Sequence, residues 1–182
     1  WLCFLFFLLI TAAFGAIQNF ASPSLQSLYG LSITSAATAL SFYLLGGAGG
    51  ILLGGFLAKN GDHEQLITLA IGAAAALAIL LAAGLLPGWS VLPLMTAIGF
   101  CTGIAGPSRD LLVRRAATSR FGQAAFGRVY GFVYSGLDLG LAMAPVIFGR
   151  FMDGGRYSDV LIGIAILQTL AIFTALRVGK AV

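Results

Sequence analysis

The sequence predicts an all-α membrane protein, a bundle of six transmembrane helices. Only 9% of its 182 residues are charged and 59% are hydrophobic, whereas a soluble domain carries about a quarter charged residues because its surface faces water. The mean hydropathy is +1.00. Apolar runs close to the length of a spanning helix, about 20 residues, recur six times. The solvent around most of the chain is therefore hydrocarbon.

The predicted spans cover about residues 1–20, 33–58, 65–86, 91–108, 127–151 and 160–176, in a single domain of residues 1–182. The first span is expected to end at about Phe20 or to continue past Pro23 as a broken end, and a Pro-Gly-Trp turn at 87–89 separates the third span from the fourth. Between the fourth and fifth spans, Arg109 to Arg128 mixes arginine with apolar residues. This stretch predicts either an amphipathic segment on the membrane surface or a basic linker.

The basic residues predict the orientation of the bundle. Two of them, Arg150 and Arg156, lie on the side opposite the N-terminus. The other eight share the side of the N-terminus: Lys59, Arg109, Arg114, Arg115, Arg120, Arg128, Arg177 and Lys180. Since short cytoplasmic loops carry the excess of Lys and Arg, both termini are expected in the cytoplasm. The same distribution argues against nucleic acid as the partner of this chain, despite its net charge of +4.

Small residues predict where helices approach closely. Glycines recur every four residues on the second helix, which strips one face of side chains. Two further glycines line one face of the fifth helix. On the opposite face, a proline removes a backbone hydrogen bond, which a neighbouring helix or an aqueous cavity must compensate. The predicted packing residues are Gly46, Gly50, Gly136, Gly140 and Pro145.

One carboxylate, Asp138, stands near the middle of the fifth span. A charge at that depth costs about 2.5–3.5 kcal/mol on insertion scales, and no Lys or Arg of this chain is expected at the same depth. Tyr134, one turn away, is expected to donate a hydrogen bond to it. The functional hypothesis is that Asp138 carries a proton or cation or contacts substrate, and the structural alternative is a neutral Asp that joins two helices.

Other polar residues give weaker signals. Intramembrane amides contact substrates in some proteins and neighbouring backbone in others, which leaves Gln168 of the sixth span open. His63, the only histidine, lies in a short polar loop and is expected to be solvated. Cys3 and Cys101 lack metal-ligand spacing and are interpreted as buried apolar residues, so no metal or cofactor is predicted.

Two stretches carry a family resemblance. GGFLAKNGDHE looks like a degenerate copy of the loop G-x-L-A-D-R-x-G-R-K of the major facilitator superfamily, with Gly54, Lys59 and Gly61 in register and Ala58 in place of the acidic residue. GPSRDLLVRRA, followed by GRVYGFVYSGLDLGLAMAPVIFGRFMD, is similar to the tenth and eleventh helices of bacterial drug-efflux members, including the fosmidomycin-resistance type. The chain thus resembles the C-terminal six-helix half of such a transporter.

The resemblance implies a twelve-helix secondary transporter of the bacterial plasma membrane that exports a small molecule, coupled to protons, by alternating access. Its other six-helix half would then precede this chain, whose first residue is not Met. The first helix of each triplet lines the cavity in that fold, which implies pathway roles for Gln18, Asn19, Thr96 and Thr102. It also implies a cytoplasmic gate at Arg109, Asp110 and Arg114.

The same residues bear on several competing functions. An intramembrane serine protease is excluded because Val133 replaces the first glycine of its G-x-S-G pattern and no histidine follows Ser135. A mitochondrial carrier is excluded because no repeat of about 100 residues occurs. We therefore expect that this chain is not an enzyme. A self-contained six-helix channel or homodimeric carrier, and less so a non-transporting scaffold, are the remaining alternatives.

Overall fold

A computed structural model describes residues 1–60, 62–122 and 126–179, and these form an all-helical bundle. The long helices are α1 (Leu2–Tyr29), α2 (Ile33–Leu57), α3 (His63–Ala82), α4 (Val91–Phe121), α5 (Phe126–Asp153) and α6 (Tyr157–Gly179). Short 3-10 turns at Ala58–Asn60 and Gly88–Ser90 precede α3 and α4. All six helices are long and apolar enough to cross a membrane, which confirms the predicted helical class and indicates an integral multi-pass membrane protein.

Two helices extend beyond the predicted spans because each continues through a proline. α1 passes Pro23 and ends at Tyr29, where Gly30 adopts a left-handed conformation. α4 passes Pro107 and continues to Phe121. The stretch from Arg109 to Phe121 is therefore part of this helix, and it is neither a separate surface segment nor a linker. At 1.5 Å per residue, the 31 residues of α4 extend about 46 Å. The membrane core is about 30 Å thick, so the basic end of α4 projects beyond it.

The contacts between helices relate the first three helices to the last three. α1 packs mainly on α5 and α6, α4 packs mainly on α2 and α3, and α3 contacts α6. Exchange of α1 with α4, α2 with α5 and α3 with α6 leaves this pattern unchanged. Because each triplet contains an odd number of spans, the two cross the membrane in opposite directions. This is the arrangement of an inverted repeat.

The contact between α2 and α4 is built from glycine on both sides. A Cβ at Gly50 would overlap the Phe100 carbonyl oxygen, and a Cβ at Gly103 would overlap the Gly47 carbonyl oxygen. The glycines that approach the facing backbone this closely are Gly46, Gly50 and Gly54 of α2 and Gly99 and Gly103 of α4. Small residues therefore allow the two backbones to touch, as in other membrane helix pairs.

The symmetry-related contact between α5 and α1 also places glycines against the facing backbone. An ideal Cβ at Gly136 would lie 2.7 Å from the Phe4 carbonyl oxygen, and one at Gly140 would lie 2.5 Å from the Leu8 carbonyl oxygen. The structure thus places the small-residue face of α5 against α1. Pro145 lies within α5 and is exposed.

Two side chains hold the C-terminal end of α3 against its neighbours. The Tyr29 hydroxyl donates to the Leu81 carbonyl oxygen at 2.7 Å, and the Ser158 hydroxyl donates to the Ala82 carbonyl oxygen at 2.5 Å. Carbonyls in the last turn of a helix have no partner within it. The end of α1 and the start of α6 therefore satisfy two groups that α3 leaves open.

Replacing Tyr29 with phenylalanine is expected to destabilise this end of the bundle by about 1 kcal/mol, because the Leu81 carbonyl oxygen loses its shorter hydrogen bond and keeps only the one from the Gly84 N–H at 3.4 Å. The free energy of unfolding in a denaturing detergent titration measures the effect. Tyr157→Phe is the matched control, since the structure shows no hydrogen bond from the Tyr157 side chain to any described residue. Equal stability of the two variants would contradict the proposed role of Tyr29.

His63 is not solvated, contrary to the expectation from its polar neighbours. It is the first residue of α3, only 8% exposed, and its Nδ1 atom has no hydrogen-bond partner among the described residues. The C-terminal end of α6 lies beside this turn, with Gly179 against Glu64. Packing of two distant helix ends therefore buries a residue that local sequence places in a loop.

Candidate functional site: a cavity between the helix triplets

A cavity of about 580 Å³ opens between the two triplets and receives residues from all six helices. Its wall is mainly apolar, with aromatic and aliphatic residues such as Phe6, Ile10, Phe14, Leu44 and Leu141. Volumes of roughly 300–1,000 Å³ with apolar walls and a few polar groups are typical of small-molecule sites. The cavity therefore has the size and surface of a site for a small amphipathic ligand.

Asp138 contributes the only carboxylate among the described residues of this wall. It projects from α5, is exposed, and makes no hydrogen bond or ion pair with any described residue. The expected bond from Tyr134 is absent: the Tyr134 hydroxyl pairs with that of Tyr130 at 2.8 Å, and the two rings stack with centroids 4.4 Å apart. Because side chains tilt towards the N-terminus of a helix, Tyr134 reaches residue 130 rather than residue 138.

Gln168, whose contacts the sequence left open, lines the cavity. It lies on α6, is only 1% exposed, and its Oε1 atom has no hydrogen-bond partner among the described residues. A buried acceptor without a partner costs about 1–3 kcal/mol. The sequence did contain a signal, because Ile164, Ala165 and Ala171, at spacings of three and four, are all buried on the same face.

No protein-family model matches this chain, and no curated protein matches it. Function is therefore inferred from the geometry of the cavity. Within the described residues there is no group of three or more His, Cys, Asp or Glu side chains that could hold a metal ion. The cavity thus presents a carboxylate and an amide rather than a cluster of metal ligands.

Two threonines complete the polar part of the wall. The Thr11 hydroxyl donates to the Phe7 carbonyl oxygen at 2.8 Å, and the Thr102 hydroxyl donates to the Ile98 carbonyl oxygen at 3.0 Å. Each hydroxyl hydrogen is therefore used within its own helix, and only oxygen lone pairs remain for a ligand. Thr102 was predicted from sequence to lie near a pathway, and Thr11 was not.

Arg109 reaches the cavity from α4. Its Nε atom lies 3.0 Å from Asp110 Oδ1, and its guanidinium carbon lies 4.7 Å from the centre of the Phe7 ring on α1. A guanidinium over an aromatic face is attracted by the ring quadrupole. This contact joins α4 to α1 at the basic end of the bundle. Arg114, further along α4, is exposed.

Other predicted pathway residues lie away from this cavity. Gln18 and Asn19 are exposed, and the Asn19 amide donates to the Gly15 carbonyl oxygen at 2.7 Å. The Thr96 hydroxyl donates to the Leu92 carbonyl oxygen at 2.8 Å. None of the three lines the cavity, and their part in a pathway stays a prediction.

The loop that resembles the family signature lies at the end of α2. Gly54 packs against Ile104 of α4. The Lys59 ammonium lies 5.3 Å from the centre of the Phe56 ring, and Gly61 lies outside the described residues. Gly54 and Lys59 do not line the cavity, and the role of this loop stays a prediction.

Proposed function

We propose that this chain is the C-terminal half of a major facilitator superfamily transporter that exports a small molecule by alternating access, coupled to protons. The observation that carries the proposal is an unpartnered carboxylate, Asp138, in the wall of an apolar cavity between two symmetrically packed helix triplets. The bacterial plasma membrane, with both termini in the cytoplasm, is the proposed location. The excess of basic residues at one end of the bundle supports that orientation.

The packing of the triplets is consistent with a motion in which one helix bundle rocks against another. In transporters with inverted repeats, one bundle moves against the other around a fixed central site. Here the cavity lies between the triplets, and its basic end is bridged by the contact between Arg109 and Phe7. Opening that end requires this contact to separate, which is the role proposed for the cytoplasmic gate of Arg109, Asp110 and Arg114.

The exposed faces of α2 and α5 are evidence that a second helix bundle packs against this one. In their most apolar windows, 22% of α2 residues and 28% of α5 residues are buried, against 39–44% in the other four helices. Large apolar side chains such as Leu52 (71% exposed) and Val146 (68% exposed) point outward from these two helices. The proposed occupant of this surface is the other six-helix half, with a second copy of the chain as the alternative.

Native mass spectrometry of the protein extracted with its surrounding lipid separates the two occupants. A particle with two copies of this chain would favour the homodimeric carrier. A particle with one copy and a second six-helix bundle, on the same or another polypeptide, agrees with the proposal.

Proton-coupled export is tested in everted membrane vesicles from cells that produce the protein in its native assembly. A pH gradient is imposed and followed with acridine orange while small amphipathic compounds are added one at a time. We expect some compounds to dissipate the gradient saturably, whereas vesicles without the protein show no response. Gradient loss without any added compound would instead indicate a channel, and no response to any compound would contradict coupling to protons.

A further inference from the structure

We infer that the cavity binds organic cations that carry N–H groups, and that Asp138 and Gln168 select them over quaternary ammonium ions and over anions. This inference rests on the proposed transport function and names the class of substrate for it. Asp138 belongs to α5 and Gln168 to α6, and both line the cavity.

Two oxygen groups of the wall have no hydrogen-bond donor among the described residues: the Asp138 carboxylate and the Gln168 side-chain oxygen. A carboxylate oxygen accepts hydrogen bonds, and Asp138 has no partner among the described residues. The orphan atom of Gln168 is its oxygen. Thr11 and Thr102 have already given their hydrogens to helix carbonyls. A ligand that donates hydrogen bonds therefore matches this surface.

The charge of the wall favours a cation. Arg109 is the one Lys or Arg in the described lining, and its charge is compensated by Asp110 at 3.0 Å. No such compensation exists for Asp138 within the described chain. An anionic ligand in the same space would face this unpaired carboxylate, whereas a cation would neutralise it.

The body of the ligand is defined by the remaining wall. Three aromatic rings, those of Phe6, Phe14 and Tyr43, line the cavity together with aliphatic side chains. Burial of apolar surface against them contributes to affinity roughly in proportion to area. An aromatic or aliphatic primary amine in its ammonium form combines the two requirements, because it joins an apolar body to a positive group that carries three N–H donors.

Gln168 distinguishes between kinds of cation. A quaternary ammonium ion satisfies the charge of Asp138 but has no N–H group, so the Gln168 oxygen remains without a partner in its complex. A site built to pair with N–H groups rejects analogues that lack them, because its buried polar atoms are left unsatisfied. When no ligand is bound, the unpaired Gln168 oxygen lowers the stability of the protein, and residues that lower stability are common at functional positions.

The binding test uses three probes that share a naphthalene ring: 2-naphthylmethylammonium, its N,N,N-trimethyl analogue and 2-naphthylacetate. Isothermal titration of the full chain in lipid nanodiscs, corrected for partitioning into empty nanodiscs, gives their affinities. We expect the primary ammonium to bind at least about tenfold more tightly than the trimethyl analogue, as loss of a hydrogen bond to a charged group implies. Equal binding of the two cations, or tighter binding of the carboxylate, would overturn the inference.

The variant Gln168→Met preserves the length of the side chain and removes the amide. We expect it to lose about tenfold in affinity for the primary ammonium, to leave the affinity for the trimethyl analogue unchanged, and to raise the melting temperature of the empty protein. Thr169→Val is the matched control, since Thr169 is exposed on the same helix and does not line the cavity.

A purely structural Gln168 would behave in the opposite way, with a lower melting temperature in Gln168→Met and no change in the preference between the two cations. Binding requires no transport, so failure of the proposed export function leaves the binding result unaffected. Conversely, if vesicles export compounds without N–H groups and the trimethyl probe binds as well as the primary amine, only the substrate class fails.

Discussion

Asp138→Asn is expected to reduce pH-driven transport to the background rate of vesicles without the protein, while the helical bundle stays folded. Asparagine has nearly the same volume as aspartate but cannot take up and release a proton. Asp138 makes no hydrogen bond or ion pair with the described residues, so no existing contact is lost. Transport driven by a substrate gradient alone, measured as exchange of labelled substrate across the vesicle membrane, is expected to lose less than the pH-driven process.

The matched control is Asp153→Asn, which removes a carboxylate from the end of the same helix, away from the cavity. It is expected to preserve the full pH-driven rate. If Asp138→Asn retained normal coupled transport at normal expression, Asp138 would not carry the coupling proton. Loss of folded protein in the same variant would instead indicate that Asp138 joins helices.

Gly50→Leu is expected to prevent stable packing of α2 on α4. The Cβ alone would overlap the Phe100 carbonyl oxygen, which belongs to the backbone and cannot rotate away. Separation of the helices would also break the neighbouring contacts of Gly46 and Gly103. We expect a loss of more than about 3 kcal/mol, beyond the usual range for overpacking because backbone rather than side chain must move. Thermal unfolding of the protein in nanodiscs measures this effect.

Gly55→Leu serves as the control on the same helix. Apart from the adjacent backbone of α2, no atom of a described residue lies within 4 Å of a Cβ placed at Gly55, and leucine favours helix more than glycine does. This variant is expected to be as stable as the parent or slightly more so. Equal stability of Gly50→Leu and Gly55→Leu would show that α2 and α4 do not approach as closely as described.

The six spans could be predicted because each is a local property of composition. Length and hydropathy of an apolar run are sufficient to predict a membrane helix, whatever the helix contacts. The continuation of α4 to Phe121 was missed because arginines and Pro107 resemble a loop. A helix tolerates one missing hydrogen bond, and arginine itself is a good helix former.

The cavity was only partly predictable. Asp138 could be found because a lone charge in an apolar run is conspicuous without any knowledge of packing. Gln168 became important only when α6 packed on α1 and α3 and turned its amide inward. For Tyr134 the direction of the side chain, rather than the spacing along the helix, selected Tyr130 as its partner. Such properties depend on distant helices and on rotamers, which a single sequence does not display.

The pairing of each helix with members of the opposite triplet has a consequence for synthesis in the cell. In the described part of the chain, α2 touches α1 sparsely and α3 hardly at all, whereas it packs extensively on α4. Between the ends of α2 and α4 the ribosome adds 121 − 57 = 64 residues, which takes roughly 3–13 s. During that time the glycine-lined face of α2 is covered only by lipid or by the insertion machinery. Tertiary structure therefore forms late in synthesis. Helices made early pack only after helices made later have entered the membrane.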